Sequence, residues 1–315
     1  MPDTGRQAAM LANRVGKTFR VLQPLFERRG VGAYRLYDRD IPEVRAVIDW
    51  YEGHLVVAEY ERQQTAADPG WLAAMGQAVA GALQVPPERV HLKRRRTRPA
   101  QGPRYPRPAT NKQSRLIVRE GPLRFWVDLD GHLDTGLFAD HRETRARLRG
   151  EAHGSTFLNL FGYTGSFTCA AGLGGARSTV TVDTSQTYLR WTQHNLELNG
   201  LWGPQHELVR ADVRDFLQRG ARAQRRFDLC VLDPPSFSSR EGSPGFDVQR
   251  DHRALIEGSL ALLKPGGALY FSTNHQRFEP RLDQLRAAEL REITAETVPL
   301  DYRNRRAHRC FRIVA

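Results

Sequence analysis

Three aspartates, Asp183, Asp212 and Asp233, stand at or just after the ends of apolar, strand-like runs in the C-terminal half of the chain. A further apolar run, Phe157-Leu-Asn-Leu-Phe161, passes straight into Gly162-Tyr163-Thr164-Gly165-Ser166. In open α/β sheets a ligand lies over such strand ends, and glycines let the backbone approach it closely. A carboxylate at Asp183, at the end of the next strand, is placed to accept hydrogen bonds from ribose hydroxyls. Asp212 has two readings, as an acceptor for an adenine amino group or as the N-cap of a helix beginning at Val213. The turn lacks both G-x-G-x-x-G and G-x-x-x-x-G-K-[ST], the patterns that cradle phosphates. A nucleoside held without phosphate contacts therefore fits better. The expected contacts are Asn159, Phe161, Gly162, Tyr163, Thr164, Gly165, Ser166, Asp183, Thr184, Ser185, Asp212 and Val213. S-adenosylmethionine is a ligand of that description.

A second constellation is Asp233-Pro234-Pro235-Ser236-Phe237, after the apolar run Leu229–Leu232. Two prolines fix φ and stiffen the turn. The expectation is a catalytic group made of Asp233, Pro234, Pro235 and Phe237, in which the carboxylate faces the reacting centre and the ring stacks on a base. Such a stack is worth roughly 1–3 kcal/mol. Upstream, Asp140 and Arg142 in Asp134-Thr-Gly-Leu-Phe138-Ala-Asp140-His-Arg142 could meet the amino and carboxylate ends of a methionine moiety. A capped helix start is the alternative for that stretch.

The net charge of +12 is concentrated in residues 1–149, which hold 26 Lys/Arg against 17 Asp/Glu. A one-sided basic surface attracts polyanions by counterion release. Between Arg89 and Arg119 there are 11 basic and no acidic residues, interleaved with prolines. Lys93, Arg94, Arg95, Arg96 and Arg98 are the candidate RNA contacts, with a strand whose charges only solvate one face as the competing reading. Three dispersed cysteines, Cys169, Cys230 and Cys310, form no metal-ligand spacing and no disulfide framework, so no metal is expected and a reducing cytoplasm fits. There is no apolar run long enough for a membrane span and no apolar leader in Met1–Met10, which argues against a membrane location or secretion.

The elements that must position these groups follow from periodicity. A helix over Met10–Arg29, strands over Ala33–Tyr37, Ala46–Trp50 and His54–Tyr60, a helix over Trp71–Leu83 and a strand over Val90–Lys93 make a small α+β module, residues 1–92. Residues 93–133 read as a basic linker followed by a β-hairpin, Leu116–Arg119 and Leu123–Leu129. From 134 to 315 strands and helices alternate: strands at Thr156–Phe161, Ser178–Val182, Glu207–Arg210, Leu229–Leu232 and Ala268–Ser272, helices between them, and a last strand at Phe311–Val314 on the sheet edge. That alternation predicts a Rossmann-like α/β domain, a mainly parallel sheet with helices on both faces.

These motifs resemble the class I methyltransferase fold, and more narrowly bacterial 23S rRNA methyltransferases carrying T-G-x-F-x-D-x-R. The likeness is greatest to the guanine-N7 half of bifunctional 23S rRNA guanine methyltransferases. It runs from Tyr34-Arg-Leu-Tyr-Asp38 through Thr135–Arg142 and Gly172-Leu-Gly-Gly-Ala-Arg-Ser178 to Phe246-Asp-Val-Gln-Arg-Asp-His252. The RNA-capture module and the N2-directed half of those proteins have no counterpart here. The resemblance implies S-adenosylmethionine as cofactor and 23S rRNA or a large-subunit precursor particle as substrate. Guanine N7 carries an in-plane lone pair and no proton, so positioning rather than a strong base would drive the reaction. Other readings are cytosine-C5 methylation, exocyclic-amine methylation such as guanine N2, and a non-catalytic RNA-binding protein on the same scaffold. The C5 reaction needs a nucleophilic thiol, and Asn274 stands where related enzymes carry it.

Overall fold

In a computed structural model, the chain is described over residues 3–60, 68–95, 115–131, 134–238, 245–283, 285–302 and 307–315. It folds as two compact units, Met1–Ala139 and Asp140–Ala315.

The first unit begins with helix α1, Thr4–Arg28, capped by the Asp3 carboxylate on the Arg6 N–H. The helix starts well before Met10, the expected start, because its first turns are held from outside rather than by an apolar stripe of their own. Thr4 Oγ1 donates to Asp68 at 2.8 Å and Trp71 Nε1 to Gln7 at 2.6 Å. Leu11, Val15, Leu22 and Phe26 form the buried stripe. Strands β1 (Ala33–Asp38), β2 (Ala46–Tyr51) and β3 (His54–Tyr60) pair antiparallel. Helix α2, Trp71–Leu83, is the crossover that lets β4, Val90–Arg95, join β3 in parallel. The apolar sides of both helices close over the sheet in one core containing Phe26, Tyr34, Ile48, Leu55, Trp71 and Met75. Strands β5 (Arg115–Glu120) and β6 (Leu123–Asp128) form the expected hairpin, also within this unit.

The second unit opens with α3, Arg142–Glu151, and continues as β7 (Thr156–Leu160), α4 (Ser166–Leu173), β8 (Ser178–Asp183), α5 (Gln186–Leu198), β9 (His206–Arg210), α6 (Val213–Arg222) and β10 (Phe227–Leu232). A two-residue pair, β11 (Phe237–Ser238) with β12 (Phe246–Asp247), precedes α7 (Val248–Leu260). Then come β13 (Leu263–Thr273), β14 (Glu289–Glu292), the short α8 (Thr294–Thr297) and β15 (Arg309–Val314). The sheet order is β14-β15-β13-β10-β7-β8-β9. The five strands from β13 to β9 are parallel, and β15 is antiparallel to both neighbours.

Side-chain alternation along the central strands feeds two cores, as a period of two requires. Leu158, Leu160, Cys230 and Leu232 pack with Val213, Phe216, Leu255 and Ile256 on one face. Phe157, Leu229 and Val231 pack with Leu148, Phe167 and Ala171 on the other. The C-terminal strand, expected on the sheet edge, lies inside the sheet, between β13 and β14. Glu289-Leu-Arg-Glu292 forms the edge instead. All four of its residues are exposed, so no burial pattern marks it in the sequence. Among the described residues no helix is long and apolar enough to cross a membrane.

Candidate active site

All five parallel strands present their C-terminal ends on one side of the sheet. The chain runs outward from β7 through β8 to β9, then restarts at β10 on the other flank of β7. The reversal opens a crevice at the ends of β7 and β10, the place where open α/β sheets bind ligands.

Beyond β7 the backbone turns sharply. Phe161, Tyr163 and Gly165 all have positive φ, of 58°, 48° and 76°. For the two aromatic residues this conformation costs of order 1–3 kcal/mol each and persists only where neighbours over-determine it. Here they do. The Tyr163 N–H donates to Asp183 Oδ2 at 3.0 Å, Thr192 Oγ1 donates to the Tyr163 carbonyl at 3.1 Å, and Asn195 Nδ2 donates to the Thr164 carbonyl at 2.8 Å. Gly162 and Gly165 are irreplaceable on steric grounds. A Cβ on either would fall 2.3 Å from a threonine methyl, that of Thr181 or Thr192 respectively. Ser166 starts α4, with its hydroxyl 3.4 Å from Arg145 Nη1.

Asp183 holds this turn from β8. Its second oxygen accepts the Ser185 N–H at 2.8 Å, while the Ser185 hydroxyl caps α5 and the Thr184 carbonyl accepts from Arg210. Burial raises the carboxyl pKa, against the Ser185, Tyr163 and Thr184 N–H groups that favour the charged form. An ionised carboxylate has about four lone-pair sites, so acceptor capacity remains for a ribose hydroxyl. Asp212 behaves as the N-cap, accepting the Arg214 N–H at 2.8 Å, with its side chain 39% exposed and open to a further donor.

Three expected cofactor contacts are placed otherwise. Asn159 is 1% exposed and donates to Thr168 at 2.9 Å, and Thr168 in turn bonds Thr181 at 2.6 Å, so its amide belongs to an internal network between β7, α4 and β8. Val213 puts its side chain into the core, leaving only its backbone for a ligand. Arg142 is buried, with Nη2 2.5 Å from Asp301, whose side chain is fully buried. A guanidinium spent on a buried carboxylate is not presented to a methionine carboxylate, and its role is to tie α3 to the segment before β15.

Across the crevice, Asp233 follows β10. Its Oδ1 accepts from Ser272 Oγ at 2.6 Å. Pro234 is buried, whereas Phe237 is 58% exposed, with the His275 ring set edgewise at 5.6 Å. Ser236 donates to Asn274 at 2.7 Å and ties this loop to the end of β13. Beside it a cavity of about 760 Å³ opens, lined by Thr273, Asn274, His275, Glu292, His308 and Arg309 among others.

Two histidines outside the expected site residues, His141 and His308, sit against Asp233 and Asp140. His141 Nε2 lies 3.7 Å from Asp233 Oδ2 and 4.0 Å from Asp140 Oδ2. His308 Nδ1 lies 3.2 Å from the same Asp140 oxygen, and the two imidazoles stack at 4.1 Å and 14°. Asp140 is thus engaged by His308. The ligating atoms of Asp140, His141 and His308 lie within 4.8 Å of one another. The lone pairs of two rings so nearly parallel lie in separate, nearly parallel planes, which suits mutual packing better than convergence on one cation. Burial, and next His308, pushes the His141 pKa down to about 4, against the pull of Asp233 and Asp140. Only spatial adjacency relates these two rings, and no spacing in the chain announces it.

Of the basic run, Lys93 and Arg94 are in β4, which extends two residues further than expected, to Arg95. Lys93 is buried, and Arg94 contacts the Pro69 carbonyl and lies 3.5 Å from Glu59. Lys93 is therefore withdrawn from solvent, and Arg94 is engaged within its own unit. Arg96 and Arg98 lie outside the described residues.

Comparison with known proteins fits this geometry. A family model described as S-adenosylmethionine-dependent methyltransferase matches residues 32–305. The chain is 43% identical over 308 residues to "Ribosomal RNA large subunit methyltransferase K" of Neisseria meningitidis serogroup B, covering 96% of this chain and 86% of that one. It is also 43% identical over 313 residues to "Ribosomal RNA large subunit methyltransferase K/L" of Allochromatium vinosum, where it spans only 42% of the relative's length. Among solved structures, SMU.776 complexed with SAH superposes with a TM-score of 0.74 at 24% identity, over 96% of this chain and 82% of that one. At that identity the likeness speaks to the fold.

Proposed function

The chain belongs to the family of S-adenosylmethionine-dependent methyltransferases, and from that premise we propose that it methylates N7 of a guanine in 23S ribosomal RNA, in the cytoplasm. The observation that carries the choice of chemistry is a pairing at the crevice: Asp233 with the exposed ring of Phe237, and no exposed thiol. All three cysteines of the chain are buried. Burial raises each thiol pKa, that of Cys310 to about 12. A buried, protonated thiol cannot add to a pyrimidine ring, so cytosine-C5 methylation loses its nucleophile. Support for the RNA substrate comes from the relatives named for methylating large-subunit rRNA.

The residues present fit the cofactor. The Gly162–Gly165 turn leaves Phe161, Tyr163 and Ser166 partly exposed at the end of β7, Asp183 keeps acceptor capacity for the ribose, and Asp212 can take the adenine amino group. When bound, S-adenosylmethionine supplies an electrophilic methyl group. The protein's share is then positioning. Phe237 offers a stacking face for the target base, and Ser272 fixes the Asp233 carboxylate. Methylation at N7 leaves positive charge on the purine, and a preorganised carboxylate in a partly dehydrated crevice stabilises it. No group need remove a proton.

Mass spectrometry of nucleosides from 23S rRNA of a strain lacking the gene, before and after treatment with the purified protein and cofactor, tests the reading. Appearance of 7-methylguanosine is the expected result. Appearance of 5-methylcytidine or N2-methylguanosine instead would overturn the assignment of the base, and no methylation with intact cofactor binding would favour a binding-only scaffold.

A further inference from the structure

We propose that His141 is a positioning residue for the reaction: held in place by the Asp140–His308 pair, it orients the carboxylate of Asp233. The inference rests on the role of Asp233 put forward above.

Geometry supplies the argument. Asp233 has two oxygens and two fixed neighbours, Ser272 Oγ on Oδ1 at 2.6 Å and His141 Nε2 near Oδ2 at 3.7 Å. His141 cannot turn away. Its ring is stacked on His308, meets the edge of Phe167 at 5.5 Å, and has Nδ1 3.4 Å from the Thr144 hydroxyl. His308 is itself fixed at both nitrogens, by Asp140 at 3.2 Å and Thr297 at 3.1 Å. With two carboxylates on the Nε2 side and a hydroxyl on the Nδ1 side, the favoured neutral tautomer carries its proton on Nε2, toward Asp233. Of two rings far apart in sequence, with side chains 5% and 0% exposed, one thus faces the carboxylate oxygen and the other packs on its face.

Charge explains why a neutral ring matters. In the transfer the N7 lone pair forms the new nitrogen–carbon bond, the electron pair of the broken carbon–sulfur bond stays with sulfur, and the positive charge passes to the purine. An imidazolium beside Asp233 would offset the negative charge that carboxylate offers to the purine. The groups facing His141 are His308 on the approach to β15, Asp233 after β10, and Asp140 and Arg145 flanking it on its own segment. Burial, His308 and Arg145 keep the proton off, and the two aspartates do not outweigh them.

Turnover on 23S rRNA from the gene-deletion strain, cofactor affinity by calorimetry and thermal unfolding decide the matter for His141→Ala, His141→Gln, His308→Gln and Asp233→Asn. His141→Ala should lower kcat severalfold, less than the loss of a full hydrogen-bond donor, because Nε2 stands 3.7 Å from the carboxylate, with cofactor affinity unchanged. His141→Gln should restore most of that rate, because its amide nitrogen reaches the place of Nε2 and cannot be protonated. His308→Gln should move the acid limb of kcat to higher pH, since one of the causes that depress the His141 pKa is gone. Wild-type turnover in a folded His141→Ala, or a folded His141→Gln as slow as the alanine variant, would overturn the inference. Asp233→Asn separates the two levels. If it turns over normally, the role of Asp233 itself fails; if it is slow while the His141 variants are not, only the positioning role fails.

Discussion

Replacing Asp183 by alanine should weaken cofactor binding at least tenfold and also loosen the turn that makes the binding site. The two effects can be worked out separately. In the free protein the carboxylate accepts the N–H groups of Tyr163 and Ser185, at 3.0 and 2.8 Å. Alanine leaves both donors without that partner in a largely buried place, at about 1–3 kcal/mol each when water cannot reach them. Tyr163 sits at φ 48° partly because of that bond, so the strain of the turn is then opposed by one restraint fewer. A destabilisation near the low end of the range, about 2 kcal/mol in total, lowers the unfolding midpoint by roughly 4–8 °C for a unit of this size. In the complex a further charge-assisted bond to ribose is missing, worth about 1.5–3 kcal/mol, or roughly 10- to 150-fold in Kd. Differential scanning calorimetry reads the first effect. Isothermal titration with S-adenosylmethionine, well below the new midpoint, reads the second. A variant that is folded and binds the cofactor with wild-type affinity would remove Asp183 from the ribose site and leave it only as the clamp of the turn.

Phe237→Ala should leave cofactor affinity intact and lower kcat/KM on RNA by roughly 5- to 150-fold, the worth of one stacked base; a parallel fall in cofactor affinity would place the ring in the cofactor pocket. Asp301→Ala removes the buried carboxylate paired with the buried Arg142 guanidinium, so it should destabilise the protein by up to about 3–5 kcal/mol in denaturant unfolding, and a change below about 1 kcal/mol would show that the pair is not a structural tie. Neutralising Arg96 and Arg98 together should reduce the slope of log K against log salt for rRNA binding by about 0.7–0.9 for each phosphate no longer neutralised, measured by fluorescence anisotropy. Lys93 is buried and Arg94 is engaged by Glu59 and the Pro69 carbonyl, so neutralising them should lower stability more than it changes that slope.

How far the sequence reaches depends on whether a residue's partner is local. The turn at Gly162–Gly165 is legible because its demands are backbone demands. Gly165 sits at φ 76°, a conformation glycine adopts without strain, and the apolar run before the turn sets the register. Asp212 is legible as a cap for the same reason, its acceptor bond going two residues along the chain. Arg142 misleads because nothing near it shows that Asp301 will be buried against it. Asn159 reads as a ligand contact because it is a polar residue in a short apolar strand, but its amide donates to Thr168 of the next helix, which in turn bonds Thr181 of the next strand. The edge strand Glu289–Glu292 escapes because an edge strand with every side chain exposed carries no alternation to detect.

The same rule accounts for the histidines behind Asp233. His141 lies within a motif whose members on either side, Asp140 and Arg142, stand out as charged groups. Yet Asp140 faces His308 and Arg142 faces Asp301, both brought in by the C-terminal part of the chain. That part enters the sheet as β15, between β13 and β14, rather than lying along its margin. The interior position is what matters for chemistry. It puts the residue just before β15 beside the C-terminal end of β13, where Ser272 holds Asp233, instead of one strand further out. A terminal strand added at the edge would leave His308 with no route to Asp140, and His141 would lose the ring it stacks on. The order of three strands at one flank of the sheet therefore determines which groups surround the carboxylate at its centre, and that order is a property of pairing across the sheet that no local run of residues encodes.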